Sequence, residues 1–308
     1  MKRIISASRR TDIPAFYSDW LLRRIQEGAC AYWHPFSRRW LQVSLCPGDV
    51  GGMVLWTKNL APLWEGLRSI RRRYPFYVQY TITGHHRALE PRVVATADAV
   101  AQARALCKEY GPETLIWRFD PIVFTQYSDP EETLRRFERL SGELEGYARR
   151  CVLSFMSPYR RQRRAFGQAG LCHLEPTPAQ RSELAQRIGE MGWQRGMVVE
   201  ACCNPDIVGS FVNKARCIDA DLLRSLGADL PASVPPAPSR KGCGCAQAVD
   251  IGAYDLCPAG CAYCYANQDP TLACRNKARH HPGHLALAEA YLPPEGVDSG
   301  PTDRPCRR

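Results

Sequence analysis

The chain has 308 residues, 45% of them hydrophobic, and a formal net charge of +10. That length and apolar content support a sizeable core and argue against global disorder. No apolar run approaches the ~20 residues that a bilayer-crossing helix needs, so no membrane partner is expected. The positive charge favours polyanions such as nucleic acid or phosphorylated ligands, although an arginine-rich composition alone also produces it. Met1-Lys2-Arg3 is followed by Arg9, Arg10 and Asp12, which interrupt any apolar signal core. The expected compartment is therefore the cytoplasm, where disulfides rarely persist and fifteen cysteines point to metal.

In chain order, strands are expected at Ile4–Ser8, Met53–Thr57, Phe76–Ile82, Thr114–Phe119, Cys151–Phe155 and Met197–Ala201, all rich in Val, Ile, Phe, Tyr and Trp. Helices are expected between them. Phe16, Trp20, Leu21 and Ile25 recur at helical spacing, followed by Leu60–Arg72 and the Ala-rich Val93–Tyr110. Asp129-Pro130 has the form of an N-cap with proline at the first helical position, leading into Glu131–Leu140. Thr177 and Gln180 have capping-box spacing and open Ala179–Met191.

Six β-then-α units imply a parallel sheet with right-handed crossovers. Six cannot fill an eight-stranded barrel, so the expected fold is α/β: an open, partial (β/α)6 TIM-like barrel over residues 1–227. Its chemistry is expected at the C-terminal ends of the strands. Prolines 231, 235, 236 and 238 mark 228–242 as a linker. A cysteine-rich iron–sulfur module is expected over 243–284 and a mobile tail over 285–308.

The run Leu256-Cys257-Pro258-Ala259-Gly260-Cys261-Ala262-Tyr263-Cys264-Tyr265-Ala266 has C-x3-C-x2-C spacing. Closely spaced thiolates on one loop suit an iron–sulfur cluster, and Pro258 and Gly260 let the loop curve around it. A cubane has four irons and the motif supplies three ligands, leaving one iron open, as catalytic metal sites do, unless a cysteine from elsewhere caps it. The competing readings are a zinc knuckle and a redox-sensitive loop.

With Tyr263 just before the third cysteine, this motif resembles that of radical S-adenosylmethionine (SAM) enzymes. The resemblance implies SAM bound on the open iron, reductive cleavage to a 5′-deoxyadenosyl radical and hydrogen abstraction from a substrate. It also implies Tyr263 near the SAM adenine and an electron donor of the flavodoxin or ferredoxin type. Such enzymes usually carry the motif after their first strand, whereas here it follows the sheet. The arrangement is similar to a bacterial family of unknown function with C-terminal cysteines of this kind. That similarity extends over Ser6–Pro14, Trp117–Ile122 and Asp250–Tyr254. A weaker resemblance is to the spore photoproduct lyase branch, in Thr57-Lys58-Asn59, Thr81-Ile82-Thr83, Leu89-Glu90-Pro91, Arg118 and Asp120-Pro121-Ile122.

Cys202, Cys217, Cys243 and Cys245 form a candidate second four-thiolate site for zinc or another cluster, with Cys203 as an alternative to Cys202 and buried reduced cysteines as the competing reading. Arg9, Arg10 and Asp12 close the first strand and are candidates for substrate or the SAM carboxylate, since a guanidinium fork suits carboxylate or phosphate. Thr57, Lys58, Arg118 and Glu200 also end strands. Lys58 and Arg118 are candidate catalytic groups, and Thr57 and Glu200 candidate SAM contacts, with structural ion pairs as the alternative for the charged residues. The run Tyr159-Arg160-Arg161-Gln162-Arg163-Arg164 suits phosphate contacts or a solvated helix start, and Arg71-Arg72-Arg73 reads similarly.

The resulting expectation is a SAM-cleaving [4Fe–4S] enzyme, with a nucleic-acid base as the substrate suggested by the lyase resemblance and the charge. The rival is a non-catalytic iron–sulfur or zinc protein that binds nucleic acid. No oligomeric state follows from the sequence.

Overall fold

The computed structural model describes residues 1–34, 37, 39–157, 160–238, 240 and 242–289, with only the backbone of Arg160 and Arg161. The strands are β1 (Arg3–Ala7), β2 (Ala29–His34), β3 (Arg39–Ser44), β4 (Val50–Thr57), β5 (Phe76–Thr81), β6 (Leu115–Ile122), β7 (Arg150–Phe155), β8 (Val198–Ala201), β9 (Val212–Lys214) and β10 (Val249–Asp250). Eight of them form one sheet in the order β10-β1-β4-β5-β6-β7-β8-β9. Each neighbouring pair in it is parallel. β2 and β3 form a separate antiparallel hairpin.

All six expected strands are present, but the sheet has eight, not six. β9 and β10 are three and two residues long, too short for sequence periodicity to mark. They stand at opposite edges, so the sheet is open.

Between the strands lie α1 (Ile13–Phe16), α2 (Ser18–Glu27), α3 (Trp64–Arg73), α4 (Thr96–Tyr110), α5 (Pro130–Glu143), α6 (Arg160–Gln168), α7 (Pro178–Gln194) and α8 (Ala220–Ser225), with α9 (Pro270–Arg279) after β10. Asp129 caps α5 through the Glu132 amide, with Pro130 at the first helical position. Thr177 and Gln180 make the reciprocal capping box of α7.

A parallel sheet must bury both faces. On one face Met53, Leu55, Val78, Trp117 and Leu153 pack with Trp20, Leu67, Leu106, Phe137 and Ile188 of the helices. On the other, the alternate residues Ile4, Val54, Trp56, Tyr77, Ile116 and Val152 pack with Cys217, Ile218, Leu223 and Cys245. Leu230 and Val234, in the stretch expected to be a linker, pack partly buried on that second face. Ala286–Ala288, in the expected tail, are buried in the helix-side core, and residues 290–308 lie outside the described residues.

β10 joins the C-terminal segment to the sheet beside β1, pairing Ile5 with Val249 and Ser6 with Asp250. Just beyond it Gly252 passes Ser8 so closely that an added Cβ would lie 1.9 Å from Ser8 Oγ and 2.4 Å from Ser8 Cβ. A methyl group cannot fit without moving one chain. Gly252→Ala is therefore expected to destabilise the protein by about 1–3 kcal/mol. The check is the urea midpoint, and an unshifted midpoint would contradict this packing.

Candidate functional site

The loop after β10 carries Cys257, Cys261 and Cys264, and hydrogen bonds from two directions fix it. From the β1 side, Tyr17 Oη donates to Leu256 O (2.8 Å), Thr11 Oγ1 to Ala253 O, and Tyr265 Oη to Arg9 O (2.5 Å). From the segment after β5, Arg92 Nε donates to Pro258 O (2.5 Å), and Ala262 N to Leu89 O (2.9 Å). Gly260 turns the loop at φ 71°, a left-handed conformation suited to glycine.

The three thiols line one cavity of ≈ 1470 Å³, together with Lys58, Arg118 and Tyr263. Cys264 Sγ accepts from Ala266 N at 3.3 Å. Burial, then Asp12 and Cys264, push the Cys257 thiol up to about 12. Cys261 is raised by burial and its acidic and thiol neighbours, against the lowering effect of Lys58. Burial thus favours the protonated thiol at Cys257 and Cys261.

Asp250 organises the arginine pair at the end of β1. Its carboxylate accepts from Ser6 Oγ (2.9 Å), Ser8 Oγ (2.5 Å), Arg9 N (3.0 Å), Arg10 Nε (3.2 Å) and Gly252 N (3.1 Å). Burial would raise its pKa, but Arg10 and Arg9 hold it below the ordinary aspartate value. Arg10 also donates to Asp250 O at 2.8 Å. The two arginines thus hold the sheet edge together as well as lining the cavity.

Asp12 caps α1 through Ala15 N (3.1 Å) and accepts from Thr57 Oγ1 (2.7 Å) and Lys58 N (2.8 Å). Burial raises its pKa to about 6 despite those bonds. Thr57 Oγ1 also accepts from Asn59 N at 2.9 Å, so it shapes the turn after β4. Lys58 Nζ reaches Glu90 Oε1 at 2.9 Å and lies 5.7 Å from the Tyr263 ring centroid. Glu90 also accepts from Thr83 Oγ1 (2.8 Å) and from Tyr263 Oη. Burial opposes the charge on Glu90, but Lys58, His85 and Tyr263 bring its pKa down to about 2. Behind it, burial lowers His85 to about 4, leaving a neutral ring between Pro121 O (2.9 Å) and Arg136 Nη1 (2.7 Å).

Arg118 is buried on the second face. It pairs with Asp120 and donates to Gln79 Oε1 (3.1 Å) and Cys217 Sγ (3.2 Å), with its guanidinium 5.1 Å from the Trp56 ring centroid. Cys202, Cys203, Cys217, Cys243 and Cys245 all line the same cavity. Glu200 is not among its lining residues; it pairs with Arg150 at 2.9 Å. In the arginine run, Arg163 and Arg164 are exposed, Gln162 donates to Tyr263 O (2.6 Å), and Tyr159 lies outside the described residues. Arg71, Arg72 and Arg73 are exposed on α3.

Glu90, Asp250, Asp120 and Cys203 were not selected from sequence as primary site residues. Glu90, Asp120 and Asp250 do fall within the segments that carry the resemblances. Among the described residues no group of three or more His, Cys, Asp and Glu side chains is arranged to hold a metal ion as it stands. The donor chemistry still suits an iron–sulfur cluster: three thiols on one loop face one cavity, and each would bind a different iron.

A family model described as "Domain of unknown function (DUF1848)" matches residues 4–266, from β1 to just past Cys264. The chain belongs to that family. No curated protein and no solved structure matches it. No helix among the described residues is long and apolar enough to cross a membrane.

The Glu90 carboxylate has a folded pKa below its ordinary value, so it contributes stability above about pH 4.5 that is lost as the pH falls through about 2. Between about pH 5 and 2, the wild type should lose more stability than Glu90→Gln in acid titrations followed by circular dichroism. Superimposable acid limbs would contradict the network.

Proposed function

We propose that this protein is a radical SAM-type enzyme whose [4Fe–4S] cluster is held by Cys257, Cys261 and Cys264. The observation that carries the reading is the position of β10. The three-cysteine loop comes late in the chain, yet it follows the strand at the first edge of the sheet, with α9 after it. In space, the order strand, cysteine loop, helix, parallel sheet is the one the sequence resemblance calls for. We read the open eight-stranded sheet as the partial barrel of that class, with its cysteine module closing one edge.

When bound, the cluster and SAM supply a 5′-deoxyadenosyl radical that abstracts a substrate hydrogen. The chain's own residues perform binding, positioning and exclusion of water. Cys257, Cys261 and Cys264 would hold the cluster, and a three-ligand loop would leave it a position open to SAM. Arg9 and Arg10 are candidates for the SAM carboxylate, with Asp250 fixing their forks. Tyr263, held by Glu90 and Gln162, forms the wall beside the third cysteine. Lys58 and Arg118 bring positive charge to the same cavity.

The ≈ 1470 Å³ cavity exceeds the ~300–1,000 Å³ of a usual small-ligand site, leaving room for a substrate beside SAM. Its arginines and the net charge of +10 favour an anionic substrate, which we take to be a nucleic-acid base with its phosphates. A flavodoxin- or ferredoxin-type protein is the proposed electron donor.

Anaerobically reconstituted protein, reduced with dithionite and given SAM, is expected to release 5′-deoxyadenosine and methionine. Cys257→Ala, Cys261→Ala and Cys264→Ala should each reduce the yield to background. Stable iron binding without SAM cleavage would instead favour the non-catalytic nucleic-acid-binding protein.

A further inference from the structure

Across the cavity from the motif loop, five cysteines from three chain segments meet. Cys202 Sγ lies 3.5 Å from Cys217 Sγ and 3.8 Å from Cys203 Sγ. Thiol contacts continue from Cys217 to Cys245, from Cys245 to Cys243 and from Cys243 to Cys203, closing a ring. Cys202 and Cys203 follow β8, Cys217 follows β9, and Cys243 and Cys245 precede β10. Cys217 and Cys245 are 2% and 4% exposed.

Three guanidinium groups face this ring. Arg118 Nη1 donates to Cys217 Sγ at 3.2 Å. Arg240 lies against Cys203 and Cys202. Arg9 is within electrostatic reach of Cys245 and Cys243, and its Nη1 is buried without a hydrogen-bond partner among the described residues. Neutral thiols offer such a group of cations little. Four thiolates around a divalent ion carry a net charge of two minus, which this arrangement would stabilise.

The spacing distinguishes a single ion from a cluster. Four sulfurs around a tetrahedral ion with ~2.3 Å bonds stand ~3.8 Å apart, close to the 3.5 Å between Cys202 and Cys217. Cubane thiolates bind different irons and stand further apart. The ring as it stands links each sulfur to its neighbours, not to a common centre, consistent with its not being arranged to hold an ion. Five sulfurs exceed a tetrahedral shell, so one must turn away for the other four to converge. Cys203 makes the longer contact with Cys202 and has a left-handed backbone, φ 57°.

We propose that Cys202, Cys217, Cys243 and Cys245 bind one zinc ion, with Cys203 outside its coordination shell. Binding releases four thiol protons and forms four zinc–sulfur bonds, with no change of oxidation state. The ion fills its shell with protein ligands, so it is structural. It ties the ends of β8 and β9 to the approach to β10 and so forms one wall of the cavity. This site does not rest on the first cysteine set holding a cluster.

The test uses the full chain and a variant with Cys257, Cys261 and Cys264 all replaced by alanine, which isolates the second site. Metal analysis should give about one zinc per chain in both, unchanged in Cys203→Ser and lost in Cys217→Ser/Cys245→Ser. Cobalt substitution of the full chain and the alanine variant should give the intense visible bands of tetrahedral tetrathiolate cobalt, a readout independent of whether the serine variant folds. Iron with acid-labile sulfide in the alanine variant would overturn the assignment to a single ion. Failure of both proteins to hold zinc or cobalt would overturn the site. Loss of zinc in Cys203→Ser would overturn the ligand set.

Discussion

One buried carboxylate, that of Asp250, joins the last strand of the chain to the first. It lies on a two-residue strand and accepts from two serine hydroxyls, two main-chain amides and the Arg10 side chain. A buried charge is costly unless paired and hydrogen-bonded, and here both conditions are met. Two residues of strand pairing alone would be a weak anchor. The carboxylate, together with Gly252 against Ser8, turns that short pairing into a fixed junction.

The arrangement of the cavity depends on that junction. With β10 docked on β1, the Cys257–Cys264 loop reaches the segment after β1, where Tyr17, Thr11 and Arg9 hold it and its flanks. The Glu90 network fixes it from the other side through Tyr263. The same C-terminal segment delivers Cys243 and Cys245 to the second face beside Cys202 and Cys217. The motif thiols and Cys243 and Cys245 thus reach one cavity on the same C-terminal segment.

Much of the fold was legible because its signals are local. Asp129 and Thr177 cap helices through bonds to residues three positions away, and the central strands are apolar runs that a two-sided sheet requires. β9 and β10 were not legible, because their existence depends on neighbours supplied by distant sequence. The spacing of Cys257, Cys261 and Cys264 put them on one loop, and all three line one cavity, whereas the partners of Arg9, Arg10 and Asp12 were not legible. Their residue types suited ligand binding, but their observed partners, Asp250, Thr57 and the Lys58 amide, lie elsewhere in the chain. Glu200 is the clearest case: its place near a strand end suggested the cavity, and Arg150 on the neighbouring strand holds it instead. Cys203 had been an alternative to Cys202, yet both join the thiol ring, which only the turn after β8 could reveal.

In the proposed function the docked loop holds a cluster with one iron free of protein ligands. Mössbauer spectroscopy of protein reconstituted with isotope-enriched iron examines this directly, because it resolves the irons of a cubane individually. The account predicts one iron distinct from the other three, whose signal shifts when SAM is added. Four equivalent irons, with a spectrum indifferent to SAM, would contradict it.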